Sequence, residues 1–149
     1  MAKQKELMIL KHLRKDGRAK LVDIAKDTQI PISTIFDYVR KENGKLIKKF
    51  ATILDFTRIG YNTRAHIVLR INKDHREKMK EYLCDNQNVN SIYKINNGYD
   101  FLIEGVFREV KDLEEFMDKL EDKFEIRQKN VYYIIDDIKR EEFMANLVL

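Results

Sequence analysis

The sequence predicts an α+β chain: a winged helix-turn-helix over residues 1–50, a connector over residues 51–62 and a βαββαβ sandwich over residues 63–149. Three observations predict it. Residues 1–50 hold three short stretches of helical apolar periodicity, the last two split by a break of only a few residues. Residues 63–135 switch between period-two and period-3.6 patterns in the order strand, helix, strand, strand, helix, strand. Charge divides at the same boundary: residues 1–50 carry 13 Lys/Arg against 6 Asp/Glu, a net +7, and residues 51–149 carry 16 against 19, a net −3. A basic module beside an acidic one fits a polyanion-binding part joined to a partner-binding part.

Leu7, Leu10 and Leu13, with Ile9 alongside, set the first helix, and Asp16-Gly17 stops it. Arg18-Ala19-Lys20 leads into Leu21, Ile24 and Ala25 of a second helix. Thr28-Gln29-Ile30-Pro31 breaks the pattern, and a third helix runs on Ile32, Ile35 and Val39 to Asn43-Gly44. If the first two helices bury the inner side of the third, its outer side is free to enter a major groove of double-stranded DNA. The outward set is then Ser33, Thr34, Phe36, Asp37, Arg40 and Lys41, with Arg18 and Lys20 nearby for phosphates. Lysines 45, 48 and 49 interrupt the apolar β-formers of residues 45–54, which predicts a short hairpin wing with Lys45, Lys48 and Lys49 along the phosphate backbone. A three-helix unit docked on a partner would show the same periodicity.

Ala65, Ile67, Leu69 and Ile71 alternate with Arg64, His66, Val68 and Arg70, a half-buried strand. Residues 73–85 are polar except for Met79, Tyr82 and Leu83, which read as a one-faced helix over Lys73–Asp85. Strands are predicted over Val89–Ile95 and Tyr99–Phe107, joined by Asn96-Asn97-Gly98, a strong hairpin signal. Val110, Leu113, Phe116, Met117, Leu120 and Phe124 mark the second helix, and Ile126–Ile135 the last strand. Val68, Ile92, Leu102, Val106 and the apolar run 131–135 cannot all lie on the sheet face that both helices cover. An uncovered, partly apolar sheet face pairs with a second copy, so a homodimer is expected. Tyr132 and Tyr133 point to opposite faces. Residues 138–149 end apolar and dock at a place the sequence does not name.

No run approaches the ~20 apolar residues of a membrane span, and Met1–Glu6 lacks the apolar core of a signal peptide. Cys84, the single cysteine, allows neither an internal disulfide nor a zinc cluster, and a reduced, cytoplasmic setting is expected. It reads as a partly buried, inert thiol. His12, His66 and His75 are scattered, and no Ser/His/Asp or Cys/His grouping occurs, so no metal, cofactor or catalytic site is expected. Asp136-Asp137 and Glu141-Glu142 read as a solvated cluster partnered by Lys139 and Arg140.

The order of elements, with Asp16-Gly17-Arg18, Ser33-Thr34-Ile35, residues 50–55 leading to Ile59-Gly60-Tyr61, and Tyr99-Asp100-Phe101 after a turn, resembles the Lrp/AsnC family of prokaryotic regulators over about residues 3–137. The resemblance implies a hinge strand in residues 51–62 and a ferredoxin-like (ACT-like, or RAM) sensing domain that dimerises through its sheets. It implies further assembly to tetramers or octamers, and amino-acid effectors held between subunits. On this chain Arg18 and the third helix would contact DNA, and Asn97, Gly98, Tyr99 and Asp100 would line the effector cleft. Three departures stand out. Gln29 occupies a turn position where the family often has glycine, so it must take a left-handed backbone. The third helix offers Phe36, Asp37 and Tyr38 where arginines are usual. Asn97 falls where the sensing loop has glycine.

The expected function is sequence-specific transcription regulation at a pseudo-palindromic operator. Two alternatives stand beside it: a chromatin-like binder of low specificity, and a haem-precursor decarboxylase on the same scaffold.

Overall fold

The computed structural model describes residues 3–149, which form two compact units, one of residues 3–53 with 138–149 and the other of residues 54–137. No helix of the described residues is long and apolar enough to cross a membrane.

In the first unit, α1 spans Gln4–Lys15, α2 spans Leu21–Thr28 and α3 spans Ile32–Glu42. The Lys3 amide donates to Glu6 Oε2 at 2.9 Å and so closes the start of α1. Ile9, Ile24, Ile30 and Ile35 form the buried centre, and Leu13, Leu21, Ala25, Tyr38 and Val39 pack around it. The inner edge of α1 therefore turns on Ile9 and Leu13 at i, i+4, where the sequence placed more weight on Leu7 and Leu10. The Thr28 hydroxyl donates back to Ile24 O at 2.6 Å and ends α2. Gln29 then adopts φ 60°, ψ 22°, the left-handed turn expected of it. Pro31 precedes α3, its fixed φ suited to a helix entry and its carbonyl accepting from Thr34 and Ile35.

The wing does not form as a hairpin. Past α3 the chain turns through Gly44, and the pairing there is one isolated parallel bridge between Asn43 and Ile47. Residues 48–55 have no regular structure. The reason is legible: residues 45–54 contain no Gly, Pro, Asn or Asp to reverse the chain, so β-forming composition has no turn to organise it. The hinge strand expected in residues 51–62 does not form either: none of these residues pairs in a ladder. A 3₁₀ turn, Phe56–Ile59, occupies its end, and the Asp55 carboxylate caps it by accepting from the Thr57 amide and hydroxyl at 3.1 and 2.6 Å. That hydroxyl contact, above the opposing cost of desolvation, holds the Asp55 carboxyl below its usual range.

The C-terminal segment belongs to the first unit, whereas the sequence assigned it to the second domain. The Arg14 guanidinium donates to the carbonyls of Phe143 and Glu141, both at 2.8 Å, and Ala145 is buried. Glu141 and Met144 take left-handed backbones, φ 55° and 70°, which no periodicity announces.

In the second unit β1 spans Thr63–Ile71, α4 Arg76–Asp85, β2 Val89–Lys94, β3 Phe101–Phe107, α5 Val110–Lys123 and β4 Ile126–Tyr133. They form an α+β unit with a four-stranded antiparallel sheet in the order β2-β3-β1-β4, the βαββαβ arrangement predicted. Ala65, Ile67, Leu69 and Ile71 of β1 and Phe101, Ile103 and Phe107 of β3 pack against Met79 and Leu83 of α4 and Leu113, Phe116, Met117 and Leu120 of α5. Of the residues that could not all lie on the covered side, Ile92 and Val131 do. Ile92 lies opposite Ile103 and Val131 opposite Ile67, and both pack against the helix-covered core; in β2 a bulge between Val89 and Ser91 resets the pleat, so that Ile92 faces the same way as Val89. Cys84 is exposed, on the outer side of α4, and not partly buried as expected.

Candidate nucleic-acid interface and effector turn

Ile35 lies fully buried under α3, and the residues around it sort by helical position. Ser33, Thr34, Phe36, Asp37, Arg40 and Lys41 are all exposed, as the periodicity requires. Ile32 differs from expectation: assigned to the inner side, it is 49% exposed beside Phe36 at 53%. As the first helical residue it lies beyond the reach of α1 and α2. The exposed side thus consists of two i, i+4 ridges, Ile32–Phe36–Arg40 and Ser33–Asp37–Lys41. Arg40 links them, its guanidinium 3.8 Å from Asp37 Oδ1 and 5.7 Å from the Phe36 ring centroid.

The remaining predicted cations, Arg18, Lys20, Lys45, Lys48 and Lys49, are also exposed, all within the same unit. Asp16 accepts from the Arg18 amide at 2.9 Å, which leaves the Arg18 side chain out of that bond. Tyr38 faces inward, and its hydroxyl has no hydrogen-bond partner among the described residues. Burial, then the Glu6 and Glu42 carboxylates, hold that hydroxyl above the ordinary phenol range.

The turn between β2 and β3 has Asn97 at φ 64° and Gly98 at φ 85°, two successive left-handed residues as a type I′ hairpin demands. Asn97 and Gly98 are exposed, whereas Tyr99 and Asp100 are partly buried. The Tyr99 hydroxyl accepts from Asn130 Nδ2 at 2.7 Å. Asp100, its side chain 10% exposed, is already engaged: Oδ2 accepts from the Ile71 amide at 2.8 Å and Oδ1 meets Arg76 Nη2 at 2.7 Å. Arg76 and Asn130 were not foreseen, and no sequence signal points to them, because each contact bridges more than 20 residues.

The sheet face opposite the helices presents Val68 and Leu102 with Tyr93 and Tyr132, around a charged centre, whereas Val106 on that side is buried. Glu104 there faces Arg64 at 3.7 Å, His66 at 3.2 Å and Asn90 at 3.1 Å, and Arg64 also pairs with Asp137. Tyr132 and Tyr133 pair with His66 and Ala65 respectively, on opposite faces as expected. Among the described residues no group of three His, Cys, Asp or Glu is arranged to hold a metal ion.

The chain thus joins a tri-helical basic unit to an α+β sheet unit. An HTH-type transcriptional regulator of Pyrococcus horikoshii is 24% identical over 134 residues, 89% of this chain and 90% of its own. The HTH-type transcriptional regulator FL11 of the same organism is 30% identical over 112 residues, 74% of each chain. Residues 64–143 match the Lrp/AsnC ligand binding domain, and the chain belongs to the Lrp/AsnC family. Among solved structures, a transcriptional regulator of Neisseria meningitidis in complex with L-Met superposes with a TM-score of 0.85 at 19% identity, over 94% of both chains. LrpC of B. subtilis gives 0.82 at 18% identity, over 93% of this chain and 98% of its own. The family and its relatives are transcriptional regulators and not enzymes, which removes the support for a decarboxylase on this scaffold.

Proposed function

We propose that this regulator binds double-stranded DNA in a sequence-specific manner, with residues 3–53 as a helix-turn-helix module and α3 as the element that enters the major groove. The observation that carries this reading is the outward side of α3, whose six predicted contacts are all exposed above a core of four isoleucines in a unit rich in lysine. Ser33, Thr34, Phe36, Asp37 and Arg40 would face base edges; Arg18, Lys20, Lys41, Lys45, Lys48 and Lys49 would face phosphates. The basic stretch acts without a hairpin, as an extended segment along the backbone.

The protein works as a homodimer, and by family resemblance as a tetramer or octamer. The open sheet face, with Val68, Leu102, Tyr93 and Tyr132, supports pairing with a second copy. Two copies place two α3 helices on successive turns of a pseudo-palindromic operator in the cytoplasm. An amino acid bound between subunits near Asn97, Gly98, Tyr99 and Asp100 would shift that arrangement, a reading supported by the similarity to a protein solved with L-Met. Since Asp100 is held by Arg76, an effector would meet the amides of Asn97 and Gly98 first.

Selection of bound fragments from a random DNA pool, followed by gel shifts at graded salt, tests the proposal. Affinity should fall ~10³–10⁵-fold between ~50 and ~200 mM salt if ~6–10 phosphates are neutralised. Enrichment of no sequence by folded protein would refute it. A chromatin-like binder is the second reading, favoured by the engagement of Arg40, the one arginine of α3, with Asp37. Competition with bulk DNA separates the two, since a low-specificity binder is displaced in proportion to competitor mass.

A further inference from the structure

We infer that Ile32 and Phe36 form an apolar edge that reads thymine 5-methyl groups in the major groove, and so set the base preference of this regulator. The inference rests on the DNA-binding reading above and deepens it. What carries it is the place of these two side chains, on the side of α3 that would face the bases. Other apolar residues of the unit, Leu46, Phe50 and Ile53 among them, are exposed to a similar degree, but Ile32 and Phe36 are the two on the outward side of α3, each about half exposed and one helical turn apart on one ridge.

The chemistry of the groove decides what fits them. Of the base edges in the major groove, thymine alone presents a methyl group, and an apolar side chain is its complement. Adenine, guanine and cytosine offer polar edges that an aliphatic or phenyl surface would desolvate without return. Four helical residues rise ~6 Å and each base pair ~3.4 Å, so the two side chains span about two base-pair steps. Position also favours them, because the N-terminal half of a groove-bound helix lies closest to the bases. Asp37, on the neighbouring ridge, adds selectivity by repelling phosphates and accepting only from a cytosine or adenine amino group. The lysine-rich surroundings make a polyanion the natural occupant of this surface, in preference to a second apolar protein face.

Uracil differs from thymine by the 5-methyl alone, which gives a direct experiment. The operator enriched from a random pool is resynthesised with single thymine-to-uracil changes, and affinity is measured by fluorescence anisotropy. Binding by the unaltered protein should weaken about fourfold at one or two positions per half-site, which is the ~0.8 kcal/mol of one buried methyl-sized group. Phe36→Ala should lose the thymine-over-uracil preference at one of those positions and Ile32→Ala at the other, while Phe36→Leu keeps it. Both residues are exposed, so the variants fold, and circular dichroism checks that. Equal affinity for every uracil variant, or a preference that survives both alanine changes, overturns the inference while leaving DNA binding intact. Failure to enrich any sequence overturns the DNA-binding reading, and this inference with it.

Discussion

Gln29 and Asp100 show what single residues decide here. Gln29 sits at φ 60° in the turn between α2 and α3, a conformation that costs an L-residue about 1–2 kcal/mol. Gln29→Gly should therefore raise stability by about 0.5–1 kcal/mol, after the larger entropy of glycine in the unfolded chain is set against the relief; urea unfolding measures it. Asp100 joins the ends of β1 and α4 through Ile71 and Arg76. Asp100→Ala should cost about 1–2 kcal/mol, since it strands the amide of buried Ile71, while the Arg76 guanidinium stays in contact with solvent. Loss of amino-acid response without a drop in melting temperature would instead assign Asp100 to the effector. Gln29 was legible because a family position and a helix stop coincide there. Asp100 was legible as a site but not as a tie, because Arg76 lies 24 residues away in sequence.

Among the elements, β1 and α3 were the most readable and the segment after α3 the least. The β1 sequence alternates apolar and polar residues without interruption, and its burial alternates with it. In α3 one fully buried residue, Ile35, suffices to orient the helix, although the helix end freed Ile32 from the core. Residues 45–54 misled because β-propensity describes fit to a pleated surface, and within the described unit they have no neighbouring strand to fit. Gly105 in β3 carries a constraint at the same scale. A Cβ there would lie 2.6 Å from Phe107 Cε2, and that ring is buried against Phe116, with centroids 5.4 Å apart. Gly105→Ala should cost about 1–3 kcal/mol of overpacking, read as a lowered melting temperature of the sheet unit.

At the scale of the whole molecule, the C-terminal segment belongs to the helical unit and not to the sheet unit that precedes it. Residues 138–149 follow the last strand in sequence but are bound by Arg14 of α1, through two carbonyls that the left-handed turns at Glu141 and Met144 bring together. Arg14→Ala should destabilise the helical unit by about 1 kcal/mol, equivalent to a melting shift of ~4–8 °C for a unit of this size. It should also speed proteolysis within residues 138–149 and leave the unfolding of the sheet unit unchanged. An unaltered proteolysis rate would show that contacts other than those of Arg14 hold the segment.

By itself the sequence determined the two-part chain, the five α-helices, the four strands and the outward side of α3, because periodicity and charge are local properties of consecutive residues. Tertiary structure alone decided the loss of the wing, which of the apolar strand residues face the helices, the hold of Arg76 on Asp100 and the docking of the C-terminal segment. Each of those depends on a partner distant along the chain, or on a bulge that shifts register, and neither leaves a periodic trace.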